Sequence, residues 1–324
     1  MIRRSVVRGT GHYLPERIVE NDFFAQQLDT SDEWIRARTG IARRHFAADD
    51  QSTSDLGILA ANAALANAGL TAADIDAIVV ATSTPDLTFP SVATMVQAGI
   101  GMERGFAFDI QAVCAGFIFA LSTADALIRG GQADRILVIG AEVFSRILDY
   151  TDRSTCVLFG DGAGAVILEA AQGEGTQADR GILALDLNSD GRHRDLLYVD
   201  GGVATTGTAG HLRMQGNLVF RHAVEKLAAT AHQALDRAGI SPEAVDWLVP
   251  HQANIRIIEA TAKRMGLPME KVVLTVADHG NTSAASIPLA LSVANGEGRF
   301  KAGDILVAEA IGGGLAWGSV VLRW

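Results

Sequence analysis

Two segments of the chain have closely similar sequences, "ALANAGLTAADIDAIV" (64–79) and "ALDRAGISPEAVDWLV" (234–249). Identical residues recur at six positions with an offset of 170 residues. Each copy predicts a helix that ends at a glycine, a short turn with a capping Thr or Ser, and then a strand. Self-similarity at a fixed offset indicates a structural unit that is present twice. We therefore predict an α/β fold built from two duplicated halves.

The same offset aligns further parts of the chain. Ala120 and Leu121 correspond to Ala290 and Leu291, and each half ends in a glycine-rich turn before an apolar strand, "GDGAGAVIL" (160–168) and "GGGLAWGSVVL" (312–322). The polar, glycine-containing stretch "AAQGEGTQADRG" (170–181) lies between the copies. We predict an N-terminal half at 1–174, which carries a nucleophilic cysteine, and a C-terminal half at 175–324, which carries a histidine and an asparagine.

Continuous apolar runs predict the buried strands of these halves. "AIVVAT" (77–82), "ILVIGA" (136–141) and "DILVAEA" (304–310) are typical of sheets covered on both faces. Helical patterns alternate with the runs and predict mainly parallel, crossover-connected sheets. Residues 188–216 have weak periodicity and predict a long irregular insert, which either covers a site or is a plain surface loop.

Composition limits the classes of function. The 324 residues carry a net charge of −10, which excludes sequence-independent nucleic-acid binding because that binding requires a basic surface. The chain has two cysteines, no apolar N-terminal run of the secretory type and no apolar stretch long enough to cross a membrane. We expect a cytoplasmic protein that binds neither nucleic acid nor membrane.

One cysteine lies where a strand-like run becomes a helix-like run, in "DIQAVCAGFIFAL" (109–121). Unpaired backbone N–H groups and the helix dipole stabilise a thiolate at such a position, so Cys114 is a candidate nucleophile. The small neighbours Ala115 and Gly116 allow a substrate carbonyl to approach. Cys156, within "STCVLFG", is interpreted as an inert buried residue.

Two polar residues of the second half occur at matching element ends. His251 follows the repeated strand where the first copy has Ala81, and Asn281 precedes the helix whose start has Ala284 in place of Cys114. Pseudo-symmetry would bring these element ends to one seam. The strand's carboxyl end is where α/β sites form, although Asn281 taken alone would be a helix cap.

These three residue types suit one kind of chemistry. A thiolate can accept an acyl group from a thioester, and an asparagine cannot exchange protons near neutral pH. Deprotonation of a second substrate would call for another protonatable group near the sulfur, but residues 157–324 contain no cysteine. Loss of carbon dioxide from a malonyl thioester forms the required carbanion without a base. His251 and Asn281 would then donate hydrogen bonds to the thioester oxygen.

Motifs along the whole chain carry a resemblance to a known family. They are "DTSDEWIRARTGIARRHFA", "TFPSVA", "VCAGFIFAL", "YTDRSTCVLFGDGAGAVIL", "VPHQANIRII", "HGNTSAASIPLAL" and "EAIGGGLAWGS". The chain resembles the β-ketoacyl-[acyl-carrier-protein] synthases III, starter condensing enzymes of the thiolase-like superfamily. The resemblance implies a five-layer αβαβα fold, a homodimer and an acyltransferase that uses no cofactor or metal, since coenzyme A thioester is a substrate.

The implied reaction is a decarboxylative Claisen condensation that initiates fatty acid synthesis. A short acyl-CoA primer, which we expect to be acetyl-CoA, reacts with malonyl-acyl carrier protein to give a 3-oxoacyl-acyl carrier protein. Starter enzymes of secondary metabolism, which make polyketides or alkylquinolones, share the Cys–His–Asn set and remain an alternative. A degradative thiolase should carry a second active-site cysteine, and a papain-type hydrolase would lack the duplication.

The resemblance also assigns roles to individual residues. It implies that Cys114 accepts the acyl group, that His251 and Asn281 promote decarboxylation, and that the backbone N–H groups of Cys114 and Gly313 form the oxyanion hole. The implied contacts with coenzyme A, its pantetheine arm and the acyl group involve Trp34, Arg38, Arg153, Gly216, Asn254, Ile311 and Phe89, the last of these reaching across the dimer interface. Ile311 stands where family members have an aromatic residue.

A basic cluster follows from helical spacing. Arg256 and Lys263 are seven residues apart and share a helix face, with Arg264 beside them. Together with Arg221 they could receive an acidic carrier protein or coenzyme A phosphates, and the alternative is an ordinary solvated surface.

Overall fold

The computed structural model describes residues 1–324. Its strands are β1 (Ile2–Tyr13), β2 (Arg17–Glu20), β3 (Arg43–Phe46), β4 (Ala77–Ala81), β5 (Phe106–Ile110), β6 (Arg135–Glu142), β7 (Gly162–Gly173), β8 (Gly181–Ser189), β9 (Leu197–Val199), β10 (Leu212–Met214), β11 (Trp247–Pro250), β12 (Ile305–Gly312) and β13 (Ala316–Arg323). Its helices are α1 (Asp22–Ala25), α2 (Asp32–Thr39), α3 (Thr53–Ala68), α4 (Val92–Gly99), α5 (Gly116–Arg129), α6 (Arg153–Cys156), α7 (Gly216–Ala238), α8 (Ile255–Arg264), α9 (Val276–His279) and α10 (Ser286–Gly296).

The two halves have sheets with the same strand order. The first sheet runs β1-β7-β6-β4-β5 and the second runs β8-β13-β12-β11. Equivalent elements recur 170 residues apart: α3 and α7 end at Ala68 and Ala238, and β4 and β11 begin at Ala77 and Trp247. Both helices end at a glycine, at positions 69 and 239, with φ of 66° and 68°. The predicted duplicated α/β fold is confirmed.

The elements form five layers. Helices α5 and α10 bury their apolar faces in one cluster between the two sheets, which contains Phe117, Ile118, Ile287 and Leu291. Helices α3 and α4 cover the outer face of the first sheet, and α7 and α8 cover that of the second. Both sheets are therefore buried on both faces, as the apolar strand runs predict. The predicted αβαβα order is observed.

The prediction of mainly parallel sheets is wrong. β4 pairs in parallel with β5 and β6, and β11 pairs in parallel with β12. The β1–β7, β6–β7, β12–β13 and β13–β8 pairs are antiparallel. A continuous apolar run indicates that a strand is buried on both faces. Helical layers bury parallel and antiparallel strands alike, so the run does not predict strand direction.

The predicted irregular insert, 188–216, is partly regular. It contains a 3₁₀ turn at Gly191–Leu196 and a hairpin formed by β9 and β10. Leu197 and Leu212 of this hairpin are buried, and a Cβ atom on Gly313 would lie 2.6 Å from the Leu197 carbonyl oxygen. The insert therefore packs against the glycine-rich turn between β12 and β13. The predicted division at residues 174 and 175 falls in the connection between β7 and β8 and stays a prediction.

None of the helices combines the length and the apolar character needed to cross a membrane.

Candidate active site

Cys114 lies in a 3₁₀ turn, Val113–Ala115, between β5 and α5. Val113 has a φ of 49°, a left-handed conformation that a β-branched residue adopts only when its surroundings enforce it. Part of that constraint comes from Gly312, where an added Cβ atom would lie 2.6 Å from the Cys114 backbone nitrogen. Cys114, the candidate nucleophile, is thus held on a strained turn against the end of β12.

The equivalent turn of the second half, Ser283–Ala285, packs against the first. Ser283 corresponds to Val113 and has nearly the same φ, 50°. Beyond the turns, a Cβ atom on Gly116 would lie 3.5 Å from the Cβ atom of Ala284, the counterpart of Cys114. The pseudo-symmetry therefore joins the two helix starts at one seam, as the sequence predicts.

Asn281 enters this seam immediately before the second turn. Its side-chain Oδ1 accepts the Ser283 backbone N–H at 2.9 Å. Its own backbone N–H donates to Leu158 at 2.8 Å and its carbonyl accepts from Gly160 at 3.0 Å. An N–H group can bond only to the amide oxygen, so the orientation of the carboxamide is fixed. Nδ2 remains as a hydrogen-bond donor.

His251 follows β11 and is held by the first residue of α10. Its Nδ1 lies 2.6 Å from the Ser286 hydroxyl, which also accepts the Gln252 backbone N–H at 3.3 Å. A hydroxyl that accepts from Gln252 can also donate its proton to Nδ1, and in that tautomer the imidazole proton lies on Nε2. Burial lowers the pKa of His251 to about 3, so the ring is neutral near pH 7. His251 is therefore a neutral N–H donor.

The electrostatics of Cys114 differ from the sequence-based expectation of a thiolate. Burial raises the pKa of the Cys114 thiol to about 12, although a hydrogen bond with Ser283 lowers it. Only 4% of the residue is exposed, and α5 begins two residues later, at Gly116. Burial therefore opposes the expected thiolate, which stays a prediction.

The predicted oxyanion hole involves two backbone N–H groups. Neither the Cys114 nor the Gly313 N–H donates to a backbone carbonyl. Gly312 contacts the Cys114 turn, so the following residue, Gly313, begins its turn beside the nucleophile. The oxyanion hole itself stays a prediction.

The predicted coenzyme A contacts form a cluster on α2 and α6. The half-buried Trp34 ring lies under two guanidinium groups, with the Cζ of Arg38 at 4.3 Å and that of Arg153 at 4.8 Å from the ring centroid. Ser31 caps α2 by accepting the Trp34 N–H at 3.1 Å. Aromatic and cationic side chains in this arrangement can bind a flat, polyanionic nucleotide.

Two further predicted contacts lie at helix starts next to this cluster. Asn254 caps α8 by accepting the Arg256 N–H at 2.8 Å, and Gly216 begins α7 at the surface. A Cβ atom on Gly40, which ends α2, would lie 2.7 Å from the Cβ atom of Ile255. This close approach positions the Trp34 helix against the start of α8, which begins four residues after His251.

Ile311 and Phe89 have opposite surroundings. Ile311 is buried in a small apolar cluster with Ala223, Leu227 and Ile257. Phe89 is 82% exposed, and its reach across a dimer interface stays a prediction.

The four predicted carrier-docking residues lie on α7 and α8. Arg221, Arg256, Lys263 and Arg264 are exposed, and none of them forms an ion pair. The Arg256 guanidinium lies 5.9 Å from the Phe220 ring centroid, which joins the two helices. These cations are available to an acidic partner.

Sequence analysis missed two residues that contact the candidate catalytic groups, Ser283 and Ser286, and a third, Glu142, that accepts a hydrogen bond from the Ser283 hydroxyl. Ser283 and Ser286 lie within the quoted motif "HGNTSAAS", and their spacing from Asn281 placed them at the same helix start. Glu142 ends β6, and a carboxylate directly after an apolar run is the signal that could have found it.

Comparisons with known proteins place this site in a family. Residues 108–191 match the family model described as 3-oxoacyl-[acyl-carrier-protein (ACP)] synthase III, and residues 235–324 match the model of its C-terminal part. The β-ketoacyl-[acyl-carrier-protein] synthase III of Paracoccus denitrificans (strain Pd 1222) is 83% identical over 323 residues, covering 100% of both chains. The chain belongs to the 3-oxoacyl-[acyl-carrier-protein] synthase III family.

Solved structures agree with this assignment. The synthase III from Aquifex aeolicus VF5 superposes with a TM-score of 0.93 at 43% identity, covering 99% of this chain and 100% of that chain. The priming β-ketosynthase of the R1128 polyketide pathway has a TM-score of 0.92 at 34% identity, covering 99% and 97%. The predicted thiolase-like fold and starter condensing acyltransferase are confirmed, and the higher identity to synthases III does not favour the secondary-metabolism alternative.

Proposed function

We propose that this chain condenses a short acyl-CoA primer with malonyl-acyl carrier protein in two half-reactions. One observation carries the proposal: the hydrogen bonds of Ser283 and Ser286 orient two neutral N–H donors, Asn281 Nδ2 and His251 Nε2, at the seam that holds the Cys114 thiol. Neutral donors stabilise a developing enolate oxygen without supplying a base.

In the first half-reaction, the Cys114 sulfur attacks the primer thioester. The S–C bond to Cys114 forms, the bond to the coenzyme A sulfur breaks, and free coenzyme A leaves. The N–H groups of Cys114 and Gly313 stabilise the tetrahedral oxyanion. Each thioester is exchanged for another, so the step needs no cofactor.

In the second half-reaction, malonyl-acyl carrier protein loses carbon dioxide. The electron pair of the broken C–C bond enters an enolate, whose oxygen accepts hydrogen bonds from His251 and Asn281. The enolate carbon attacks the Cys114 thioester, the C–S bond to Cys114 breaks, and the sulfur takes up a proton from water as the 3-oxoacyl-acyl carrier protein forms. Decarboxylation supplies the carbanion, which agrees with a neutral His251 whose pKa is lowered to about 3.

The substrate carriers bind at the surface that leads to this seam. Trp34 and Arg153 hold the adenine of coenzyme A with Arg38 beside them, and Asn254 and Gly216 border the pantetheine arm. The exposed Arg221, Arg256, Lys263 and Arg264 receive the acidic carrier protein, which a chain of net charge −10 could otherwise repel.

The primer in this proposal is acetyl-CoA. Ile311 lies in a packed cluster with Leu227 and Ile257, which leaves a restricted apolar wall beside the reacting centre. Comparison of kcat/KM for acetyl-CoA with longer and branched acyl-CoA primers tests this assignment, and a higher value for a branched primer would overturn it.

The working form in this proposal is a homodimer. β5 is the edge strand of the first sheet, and its Phe106 is exposed, as are Leu87 and Phe89 of the loop between β4 and α4. Unpaired edge strands and large exposed apolar side chains are typical of a surface covered by a partner. Phe89 then reaches the acyl pocket of the second copy. A cytoplasmic location stays a prediction.

Release of carbon dioxide from malonyl-acyl carrier protein, dependent on an acyl-CoA primer, is the test of the whole proposal. We expect stoichiometric carbon dioxide, coenzyme A and 3-oxoacyl product. Condensation by a Cys114→Ala variant at the wild-type rate would refute the assignment of the nucleophile.

A further inference from the structure

Arg44 of β3 is a completely buried guanidinium that the proposed reaction does not use. Its hydrogen bonds go to the Val19 carbonyl at 3.2 Å, the Asn21 Oδ1 at 2.8 Å and the Val157 carbonyl at 2.7 Å, and its Nε has no partner. None of the three acceptors is a carboxylate. Burying a cation without an ion pair costs free energy, so stability alone does not account for its position.

Two of these contacts lead to the helices that carry the predicted nucleotide contacts. Val157 directly follows α6, whose first residue is Arg153. Arg44 therefore holds the carboxyl end of α6 through the Val157 carbonyl. Its contact with Asn21 leads in the other direction, to α2, which carries Trp34.

Asn21 contacts both ends of α2. Its Nδ2 donates to the Oδ1 of Asp32, the first residue of the helix, and to the carbonyl of Ile41, two residues past the last one, each at 2.8 Å. A guanidinium only donates hydrogen bonds and a carboxylate only accepts them, so the orientation of the Asn21 carboxamide is determined. The side chain is buried and is held from both sides.

A buried chain of hydrogen bonds therefore runs from the end of α6 through Arg44 and Asn21 to both ends of α2. At the surface, the Arg153 guanidinium also donates to the carbonyl of Asp29, in the loop before α2. That exposed contact depends on one long side chain, whereas the buried chain acts on the backbones of both helices. Buried polar networks of this kind make the elements that they join more rigid.

We propose that Arg44 and Asn21 are positioning residues for nucleotide recognition, which hold α2 and α6 together so that Trp34 and Arg153 meet the nucleotide of coenzyme A as one preformed surface. A surface that is already ordered loses less conformational entropy when its ligand binds, so the pair lowers the dissociation constant of coenzyme A. Both residues are buried and act through the two helices, without contact with the substrate. Chemistry at Cys114 should therefore be affected little.

This inference rests on the proposed function, and two primers separate the two. Acetyl-CoA and acetyl-pantetheine have the same thioester and the same arm, but acetyl-pantetheine lacks the nucleotide. A defect in positioning α2 and α6 should therefore appear with acetyl-CoA only. A general loss of structure should appear with both primers.

Asn21→Asp disconnects α2 and leaves the rest of the network in place. The new side chain still accepts from Arg44 and gives the buried cation a charged partner, but it cannot donate to Asp32 or Ile41. We expect KM for acetyl-CoA, and the Kd of coenzyme A from isothermal titration calorimetry, to rise by roughly 10- to 100-fold. Both kcat with acetyl-CoA and kcat/KM for acetyl-pantetheine should stay near the wild-type values.

Exchange of donor and acceptor provides a rescue. In the double variant Asn21→Asp, Asp32→Asn, the new amide can donate to the new carboxylate, which restores the connection to α2 in the reverse direction. Most of the lost affinity for coenzyme A should return. Asp32→Asn alone should bind coenzyme A like the wild type, because its amide oxygen still accepts from Asn21.

Ser5→Ala is the matched control for loss of a buried hydrogen bond. Ser5 of β1 donates to Asp125 of α5 at 2.7 Å, and both residues are buried. This variant should keep the wild-type KM for acetyl-CoA, whatever its effect on Tm.

The outcomes distinguish the two proposals. If Asn21→Asp keeps the wild-type KM for acetyl-CoA and Kd of coenzyme A, the positioning role is refuted while the proposed function stands. Equal losses with acetyl-CoA and acetyl-pantetheine would also refute it, because the network would then serve only the fold. If the wild-type protein uses acetyl-pantetheine as well as acetyl-CoA, the nucleotide makes no contribution and the proposed coenzyme A site itself fails.

Discussion

The side-chain oxygen of Asn281 accepts the backbone N–H of Ser283, at 2.9 Å, two residues further along the chain. This contact fixes the orientation of the carboxamide and leaves its only donor, Nδ2, without a partner among the hydrogen bonds of the chain. Asn281→Asp preserves the size of the side chain and an oxygen for the Ser283 N–H, but removes the donor. We expect carbon dioxide release to fall by roughly 100- to 1,000-fold.

Acylation of Cys114 by acetyl-CoA serves as the internal control for Asn281→Asp, since that step does not use the carboxamide. It should remain within a few-fold of the wild-type rate. Retained decarboxylation in the variant would contradict the donor role of Asn281.

The two cysteines allow a matched test of which residue is the nucleophile. Both are buried, and burial raises the pKa of Cys156 to about 11, so neither is distinguished by exposure. Cys114→Ala should abolish the acyl-enzyme seen by mass spectrometry after incubation with acetyl-CoA. Cys156→Ala removes a buried sulfur from an apolar cluster with Phe144 and Phe159 and should lower Tm while leaving acylation intact.

The assignment of the two cysteines would be reversed if Cys114→Ala still formed the acyl-enzyme, or if Cys156→Ala no longer formed it.

His279 gives the stability a pH dependence with a definite sign. Burial lowers the pKa of His279 from 6.5 to about 4, with His45 and His12 adding to the effect, and its Nδ1 has no partner. Below pH 6.5, His279 therefore binds a proton in the unfolded chain, whereas in the folded chain it binds one only near pH 4. Stability is lost as the pH falls through this window, by about 2 kcal/mol between pH 7.5 and 5.

Urea unfolding of the wild type and of His279→Gln at both pH values isolates this contribution from the other titrating groups. The wild type should lose more free energy of unfolding than the variant over the interval. Identical losses would mean that His279 does not titrate as its burial indicates.

The exposed cations of α8 should act on the carrier protein more than on the primer. Charge reversal at Arg256 and Lys263 is expected to raise KM for malonyl-acyl carrier protein at least several-fold more than KM for acetyl-CoA, because an acidic protein contacts more of the basic surface. Steady-state kinetics at low and at 0.5 M added salt should show the difference shrinking as salt rises.

Lys301→Glu is the control for this surface. Lys301 is exposed but lies before the first residue of β12, at the end of the strand away from Gly312. It should change neither KM. Equal effects of the α8 reversals on both substrates would count against carrier docking.

Much of this protein follows from local sequence. The repeated segments at 64–79 and 234–249 determine the two halves, because helix periodicity, a terminal glycine and a buried apolar run each specify structure over a few residues. The same logic places Cys114, His251 and Asn281 at element ends, and the duplication brings those ends together. The positions of these elements depend on residues close together in the chain. Only the meeting of the two halves depends on a long-range relationship, the pseudo-symmetry.

Tertiary structure alone decided the protonation and the orientation of the groups at the seam. Burial raises the pKa of the Cys114 thiol to about 12 and lowers that of His251 to about 3, and Glu142 accepts a hydrogen bond from Ser283, 141 positions away in the chain. Strand direction was also decided at this level, since burial on both faces gives parallel and antiparallel strands the same apolar pattern. Desolvation and hydrogen bonding depend on which distant residues enclose a group, and no local pattern specifies that enclosure.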